Sequence, residues 1–345
     1  MRRLTVTALA ALALILTACG SDEATPDEVV LMTHESFAVS DGILEEFTAE
    51  TGVAVTVMRA ADAGTMVNQA ILTKDNPVAD VLFGIDNTFL SRALDEDIFI
   101  AHRAEGIDTV VADLRDPKDR VTPIDFGDVC LNTDIAGLET RGIAPPVDLR
   151  DLADPEYRGL LAVEDPTTSS PGLAFLLATI ETFGEDGDYP WQEYWRDLVA
   201  NDVRIVPGWD QAYYGEFSGG SGEGDRPIVV SYASSPVAEV YFGELEEAPT
   251  GVPEAGCFRQ IEYAGILEGT KAPEMAGRLV DFLLDRRFQE DLPLNMFVFP
   301  ANSEAALPQV FVDHAVIPAS PIVMDPDRID ENRERWLAEW ASAVR

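Results

Sequence analysis

A regular alternation of apolar, strand-like runs with helix-like segments sets the fold class of this chain of 345 residues. Residues 29–32, 53–58 and 79–83 are short apolar runs, and helical spacing marks residues 43–51 and 66–72 between them. Strands that alternate with helices in this way form a parallel sheet with right-handed crossovers. The sequence therefore predicts an α/β fold.

The alternation breaks at residues 124–130, which have the pattern of a strand without a following helix. We place a first crossing of the chain between two lobes there, and a return crossing at residues 257–266. The predicted division assigns residues 29–124 and 266–345 to lobe 1 and residues 125–265 to lobe 2. Because ligands bind beyond the carboxyl ends of strands in open α/β sheets, we expect the strand ends of both lobes to face one cleft.

A Ser-Ser-Pro sequence follows two of the apolar strands. After the strand at 160–163, Ser170 is the predicted N-cap of a helix with a proline in its first turn, and Ser234, Ser235 and Pro236 repeat the pattern. A helix that begins at a strand end directs unpaired N–H groups at whatever lies beyond, which suits a phosphate or another polar group. A well-capped surface helix would have the same sequence, so either copy alone leaves both interpretations open.

The N-terminal segment has the features of an export signal. Residues 1–18 combine a charged start with a short apolar run, too short for a membrane-spanning helix. Leu16-Thr17-Ala18-Cys19 resembles a bacterial lipobox, in which Cys19 becomes the lipidated first residue; a plain signal peptide with an incidental cysteine is the alternative. Residues 19–28 are small and polar and are predicted to be a tether. We expect an extracytoplasmic lipoprotein anchored to the membrane, at the cell surface or in the periplasm.

The net charge of −38 restricts the partners. A field of this sign repels nucleic acid and anionic lipid, so nucleic acid is not an expected partner. It favours a cationic ligand only mildly, since solubility or a salt-rich habitat explains the same balance.

Two cysteines remain after the lipobox, Cys130 and Cys257. In an oxidising compartment they are a candidate disulfide. No metal site is predicted, because the three histidines have no ligand-like spacing.

The predicted strand ends carry hydroxyl groups, aromatic rings and a few acids. Rings stack a flat ligand and attract a cation, a carboxylate accepts from an amine, and serine hydroxyls hold a hydroxyl or phosphate group. Each aromatic residue taken alone is more typical of the core than of a ligand site. Only the aromatic residues taken together indicate that they line the cleft. The residues predicted to line the cleft are His34, Asp62, Ala63, Asp86, Ser169, Ser170, Trp209, Tyr232, Ala233, Ser234, Ser235 and Phe297.

The sequence has none of the common catalytic motifs. It contains no Gly-x-Ser-x-Gly, no His-Glu-x-x-His and no phosphate-loop Gly-Lys-Ser/Thr. No catalytic residue is therefore predicted, and we expect a binding protein rather than an enzyme. A secreted serine hydrolase is the alternative from another class, and turnover of an ester would reveal it.

Four strings resemble those of the periplasmic thiamine-binding proteins of thiamine ABC importers. They are Gly84-Ile85-Asp86-Asn87, Asp165-Pro166-Thr167-Thr168-Ser169-Ser170-Pro171-Gly172-Leu173, Gly208-Trp209-Asp210-Gln211-Ala212-Tyr213 and Ser231-Tyr232-Ala233-Ser234-Ser235-Pro236. The similarity extends from about residue 29 to the C-terminal segment 336–340. It implies a two-lobed periplasmic-binding-protein architecture of type II, in which crossing strands form a hinge.

The resemblance also implies the activity. Such a protein is not an enzyme and has no cofactor; it binds thiamine, thiamine phosphate or thiamine diphosphate and delivers it to the permease subunits of an ABC transporter. We expect a monomer.

The resemblance implies roles for the cleft residues. Asp62 and Ala63 would contact the aminopyrimidine end of the ligand, Ser169 and Ser170 its hydroxyl or phosphate end, and Trp209 a ring. The four residues 232–235 would line lobe 2, and Asp86 and Asp125 lie in matching strings.

Three positions depart from the family pattern. His34 stands where the family has a tyrosine, Phe297 where it has a tryptophan, and Ala63 where it has a glycine. These replacements reduce the aromatic surface available for stacking, so a related pyrimidine is an alternative ligand.

A ferric-iron-binding protein of the same fold is the main alternative. Such proteins use adjacent tyrosines, and Tyr213 and Tyr214 form such a pair. A charge-transfer colour on addition of ferric iron would favour it. A polyamine-binding protein would instead require several carboxylates that converge on one cleft.

Overall fold

The computed structural model describes residues 27–253 and 256–345. Its strands are β1 (Glu28–Thr33), β2 (Ala54–Arg59), β3 (Val81–Asp86), β4 (Phe99–Ile100), β5 (Thr122–Asp134), β6 (Leu161–Glu164), β7 (Arg204–Val206), β8 (Ile228–Tyr232), β9 (Thr250–Gly251), β10 (Phe258–Leu267) and β11 (Phe299–Pro300). Its α-helices are α1 (Ile43–Thr51), α2 (Ala63–Leu72), α3 (Leu90–Asp95), α4 (Ile135–Arg141), α5 (Ser170–Phe183), α6 (Trp191–Ala200), α7 (Ser235–Gly243), α8 (Pro273–Leu284), α9 (Arg286–Asn295), α10 (Gln309–His314) and α11 (Pro326–Ala343).

The predicted signal peptide, the lipobox with Cys19 and most of the predicted tether lie outside the described residues; β1 already begins at the last tether position. In the described part of the chain, no helix combines the length and the apolar character that a membrane span requires.

The strands form one mixed sheet in the order β2-β1-β3-β10-β5-β8-β6-β7. Strand β1 pairs in parallel with β2 and β3, and β6 pairs in parallel with β7 and β8. The long strands β5 and β10 run antiparallel to each other and to their outer neighbours, and so join the two parallel halves. This arrangement confirms the predicted α/β fold with crossing strands.

Helix α5 fixes the position of one edge of the cleft. All residues from Ser170 to Ile180 are buried, as expected for a helix that is apolar on every face. It packs against β5, β6, β8 and β10 and against α6, where Phe175 meets Trp195 edge to face. The start of α5 is therefore held firmly at the carboxyl end of β6.

A disulfide ties the two crossing strands together. Cys130 lies in β5 and Cys257 directly before β10, with their Cα atoms 4.3 Å apart. A bridge across a loop of this size stabilises the fold by about 5 kcal/mol in the chain-entropy description. The disulfide joins Cys130 and Cys257, the two cysteines identified as a candidate pair from the sequence. Because it links β5 to the start of β10, it limits how far these strands can separate.

The C-terminal segment packs against both predicted lobes. Helix α10 packs against α7, and α11 packs against both α6 and α3. Trp340 of α11 meets Trp195 of α6 edge to face with 5.7 Å between ring centroids. From α10 onward the chain thus contacts lobe 2, while α11 also contacts lobe 1 through α3, and the division into lobes stays a prediction. The apolar stripe of α11 finds its buried partners there, which its own sequence does not specify.

Two helix starts also differ from prediction. Helix α2 begins at Ala63, three residues before the predicted start, because the Asp62 side chain accepts a hydrogen bond from the Ala63 N–H and caps the helix. The N-cap of α5 is Ser169 and not Ser170, and its hydroxyl makes no capping bond. The predicted start of α2 at residue 66 and the predicted cap at Ser170 were therefore wrong.

Candidate functional site

A cleft of about 890 Å³ opens where the strand ends of the two lobes meet. One side is formed by the segment after β1 and by the start of α2. The other side is formed by the starts of α5 and α7, the segment after β7 and the end of β8, and residues 295–298 close one end. Ser170 and Ser235 both line it, so the two Ser-Ser-Pro helix starts share one cavity.

The predicted site residues divide into two groups. Eight of the twelve line the cleft, namely His34, Asp62, Ala63, Ser170, Trp209, Tyr232, Ser235 and Phe297. The other four, Asp86, Ser169, Ala233 and Ser234, are buried behind its surface. The structure brings all twelve to one region, and the buried four support the lining residues from beneath.

Asp62 connects three segments around the cleft. One carboxylate oxygen accepts from the Ala63 N–H at 2.7 Å and from the Ser170 N–H at 3.4 Å, and the other accepts from the Trp209 N–H at 3.1 Å. Burial raises the pKa of Asp62, and the bonds to Trp209 and Ala63 partly offset that effect. A single carboxylate of lobe 1 thus meets the start of α5 and the Trp209 loop of lobe 2.

The lobes also touch directly beside Asp62. The Gly64 N–H donates to the Thr168 carbonyl at 3.1 Å, and the Ser36 hydroxyl donates to Asp210 at 2.9 Å. A Cβ atom at Gly64 would lie only 2.8 Å from the Thr168 carbonyl oxygen, so this close approach requires glycine. These contacts show the two lobes closed against each other on this side.

Four rings of lobe 2 form what we call the aromatic wall: Trp209, Tyr213, Tyr214 and Tyr232. Trp209 stacks on Tyr213 with 5.0 Å between centroids and 15° between planes, and its indole N–H donates to Ser231 at 2.8 Å. The Tyr213 hydroxyl donates to Glu239 at 2.8 Å. Each of these contacts lies within lobe 2, so the wall is fixed by its own lobe.

Five carboxylates line the cleft and are called here the acidic set: Glu35, Asp62, Asp210, Glu239 and Glu262. Partial burial raises the pKa of Glu35, and the neighbouring charges of Asp210 and Asp62 raise it further. Burial alone would lower the pKa of His34, but Glu262, whose Oε2 lies 3.6 Å from Nε2, together with Asp62 and Asp210, raises it overall. Both shifts indicate a negative potential in the cleft.

A row of buried acids lies under the cleft on three adjacent strands. Glu262 of β10 is in register with Asp86 of β3 and Asp125 of β5. Burial raises the pKa of Asp86 to about 6, and burial and Glu262 raise that of Asp125 well above its ordinary value. Neither Asp125 carboxylate oxygen has a hydrogen-bond partner within the described ranges. Burial therefore favours the neutral forms of Asp86 and Asp125.

Phe297 has an unusual backbone at the end of the cleft. Its φ is 56°, a left-handed conformation that is strained for a bulky residue, and the buried Ser234 hydroxyl donates to its carbonyl. The predicted lobe-2 residue Ser234 thus acts on the cleft through Phe297 rather than from its surface.

Sequence reasoning missed four members of the acidic set. Asp210 lies in one of the four resemblance strings, next to Trp209, and was not chosen. Glu239 follows Ser235 by four positions, so it lies on the same face of α7, and helical spacing was a usable signal. No sequence signal marked Glu262, because its position in the cleft follows from the pairing of β10 with β3 and β5. Glu35, next to His34, was not predicted.

The tyrosine pair of the iron alternative belongs to the aromatic wall. The Tyr213 and Tyr214 rings are nearly perpendicular, with 5.5 Å between centroids. Burial and the adjacent Glu239 raise the pKa of Tyr213, which opposes formation of a phenolate. Within residues 27–253 and 256–345, no three or more histidine, cysteine, aspartate or glutamate side chains are placed to hold a metal ion.

Comparison with known proteins is consistent with this geometry. Residues 76–332 match the family model described as bacterial extracellular solute-binding protein. The thiamine-binding periplasmic protein of Salmonella typhimurium is 26% identical over 96% of this chain and 97% of its own length. A solved periplasmic thiamin binding protein superimposes with a TM-score of 0.82 at 24% identity, covering 92% of this chain and 96% of that one.

The fold is shared with iron carriers. Iron-bound HitA from Pseudomonas aeruginosa superimposes with a TM-score of 0.70 at 17% identity, over 92% of this chain and 99% of that one. At such identity the likeness concerns the fold alone.

Proposed function

Because this chain belongs to the bacterial extracellular solute-binding proteins, we propose that it captures thiamine between its lobes and delivers it to an ABC importer. The observation that carries the proposal is the closed cleft in which an aromatic wall faces Asp62. Its volume of about 890 Å³ lies within the range of small-molecule sites. The similarity to thiamine-binding periplasmic proteins along nearly the whole chain supports the same ligand.

The two ends of thiamine match different parts of the cleft. The thiazolium ring is a permanent cation, which aromatic faces and carboxylates both attract. We assign the stacking contact to Trp209 and Tyr232, and the exocyclic amine of the pyrimidine to Asp62. The hydroxyethyl group then lies near Ser170 and Ser235 at the two helix starts. These assignments rest on the lining of the cleft and on the roles implied by the resemblance.

The remaining parts of the proposal concern location and partners. We propose that the chain is exported, that Cys19 carries a lipid anchor, and that the monomeric carrier meets the permease subunits at the membrane. Binding without turnover is the expected activity, with no cofactor. Mass spectrometry of the mature N-terminus tests the anchor, since a diacylglycerol on Cys19 adds a defined mass.

Fluorescence titration tests the ligand. Thiamine added to the purified mature protein should quench the emission of Trp209 and saturate at one equivalent, because a bound cation lies over the indole. No change at high thiamine concentration would contradict the proposal. Ferric iron is titrated in parallel, and a visible charge-transfer band with iron but no response to thiamine would assign the site to the tyrosine pair instead.

A further inference from the structure

His34 and Glu262 face each other in the lining of the cleft. The side chains are 12% and 9% exposed, and His34 Nε2 lies 3.6 Å from Glu262 Oε2. Neither atom has a hydrogen-bond partner within the described ranges. The His34 ring packs closely on the backbone of β3, where a Cβ atom at Gly84 would lie only 2.2 Å from its Cδ2. The two side chains are therefore held near each other and interact by charge when the imidazole is protonated.

The other oxygen of Glu262 is already engaged. Its Oε1 accepts from the Gln260 side-chain amide at 3.2 Å, and the Gln260 amide oxygen accepts from the Tyr232 hydroxyl at 3.2 Å. These bonds hold the carboxylate beside Tyr232, one of the two rings assigned to stack the ligand. A ligand cation over the Tyr232 ring therefore comes close to the carboxylate that His34 faces.

The charged groups around His34 are mostly acids. They are Glu262 of β10, Asp62 at the start of α2, Asp210 after β7 and Glu35 of its own segment, with Asp86 of β3 and Asp125 of β5 in register with Glu262. Arg59, also in the lining, is exposed and donates to the Phe37 carbonyl at 3.2 Å. Burial lowers the pKa of His34, but the neighbouring acids raise it overall above 6.5. The ring therefore keeps its proton to a higher pH than an exposed histidine does.

We propose that His34 is the resident cation of the empty cleft: its imidazolium balances Glu262, and a cationic ligand replaces it while the ring gives up one N–H proton to the solvent. This inference rests on the proposed function and extends it. Two cations beside one carboxylate repel each other, and the thiazolium charge is permanent, so the imidazolium is the partner that becomes neutral. The tyrosine that the family pattern has at this position is uncharged near neutral pH and has no such proton to release.

Calorimetric titration of the mature protein with thiamine at pH 7, in buffers of different ionisation enthalpy, counts the protons exchanged. We expect a net release of about half a proton to one proton per thiamine in the parent and a much smaller release in His34→Gln. The matched control His102→Gln removes a histidine that pairs with Asp281 outside the cleft lining, and it should release as much as the parent.

The outcomes separate this inference from the proposed function. Thiamine binding without proton release, or with equal release in His34→Gln, would overturn the role of His34 and leave the proposed function intact. If thiamine did not bind the parent at all, the proposed function itself would fail.

A nuclear magnetic resonance titration of the histidine rings needs no variant at position 34. The chain has three histidines, and the variants His102→Gln and His314→Gln assign the other two signals. When thiamine saturates the parent, the pKa of His34 should fall by about one unit or more, because a second cation then lies near Glu262. The pKa values of His102 and His314 should not change. An unchanged pKa of His34 at saturation would contradict the displacement of its proton.

Discussion

The aromatic wall and the acidic set line the same cleft but are held in place in different ways. Trp209 is fixed by Tyr213 and Ser231, and Tyr213 by Glu239, all within lobe 2. Two of the acids instead make bonds across the cleft: Asp62 accepts from Trp209, and Asp210 accepts from Ser36. The wall is therefore preformed in one lobe, whereas the bonds of Asp62 to Trp209 and of Asp210 to Ser36 form when the lobes meet. We expect the rings to supply most of the affinity and the acids to couple binding to closure.

Removal of the central ring should have the largest effect on binding. Trp209→Ala should weaken thiamine binding by about 2–3 kcal/mol, or about 30- to 150-fold, because stacking and the cation–π attraction are both lost. Calorimetry measures the change. Trp209→Phe is the matched control, since it keeps a ring and should lose less. If Trp209→Ala bound thiamine as tightly as the parent protein, the aromatic wall would not be part of the binding site.

Removal of the Asp62 charge should have the next largest effect on thiamine binding. Asp62→Asn should cost about 1–2 kcal/mol of binding free energy, because hydrogen bonds to a charged acceptor become bonds to a neutral amide. Ser36→Ala removes a bond between the lobes without removing a charge and should cost about 1 kcal/mol or less. Small-angle scattering of both variants without ligand reports on closure. If the Asp62→Asn variant gave the same scattering curve as the wild type, the Asp62 carboxylate would have no part in closure of the lobes.

Acidification should weaken binding by a smaller factor. The pKa values of Asp62 and Glu35 lie above their ordinary values, so these carboxylates take up protons at a higher pH than exposed acids do. As the pH falls from 7 toward 5, the negative charge that attracts a cation declines, and the thiamine dissociation constant should rise severalfold. Titrations of the parent and of the Asp62→Asn variant across this range measure the effect. A profile equally steep in the variant would locate the titrating group elsewhere.

Asp86 and Asp125 are buried under the cleft and belong to neither the aromatic wall nor the acidic set, and their removal should affect stability rather than affinity. The folded pKa of Asp86 is about 6 against an ordinary 3.8, so the unfolded chain ionises first and stability falls as the pH rises between these values. The loss amounts to about 3 kcal/mol above pH 6. Asp86→Asn should therefore raise the free energy of unfolding at pH 7 and change it little at pH 4.

Urea denaturation at the two pH values, with thiamine titrations alongside, tests this prediction. Equal destabilisation by Asp86→Asn at both pH values would contradict the linkage. A large loss of thiamine affinity in the same variant would instead place Asp86 in contact with the ligand, as the sequence analysis predicted.

The local sequence pattern was sufficient to predict helices and strands whose first and last residues are both marked by nearby residues. The apolar run at 228–232 predicts a strand and the amphipathic stretch at 273–284, which starts with proline, predicts a helix; β8 and α8 have these bounds. Helix α2 was predicted late, because Asp62-Ala63-Gly64 has the composition of a loop and its cap depends on a side-chain bond. The contacts of α11 with lobe 2 and the position of Glu262 were beyond local pattern, since both depend on distant strands and helices.

A structure of the protein with thiamine bound would show whether the ligand lies between the two lobes. We expect the ligand in the cleft, with a ring stacked on Trp209, the pyrimidine amine within hydrogen-bond distance of Asp62, and both lobes in contact with it. Thiamine bound outside the cleft, or bound to one lobe with Asp62 and Trp209 both out of reach, would contradict it.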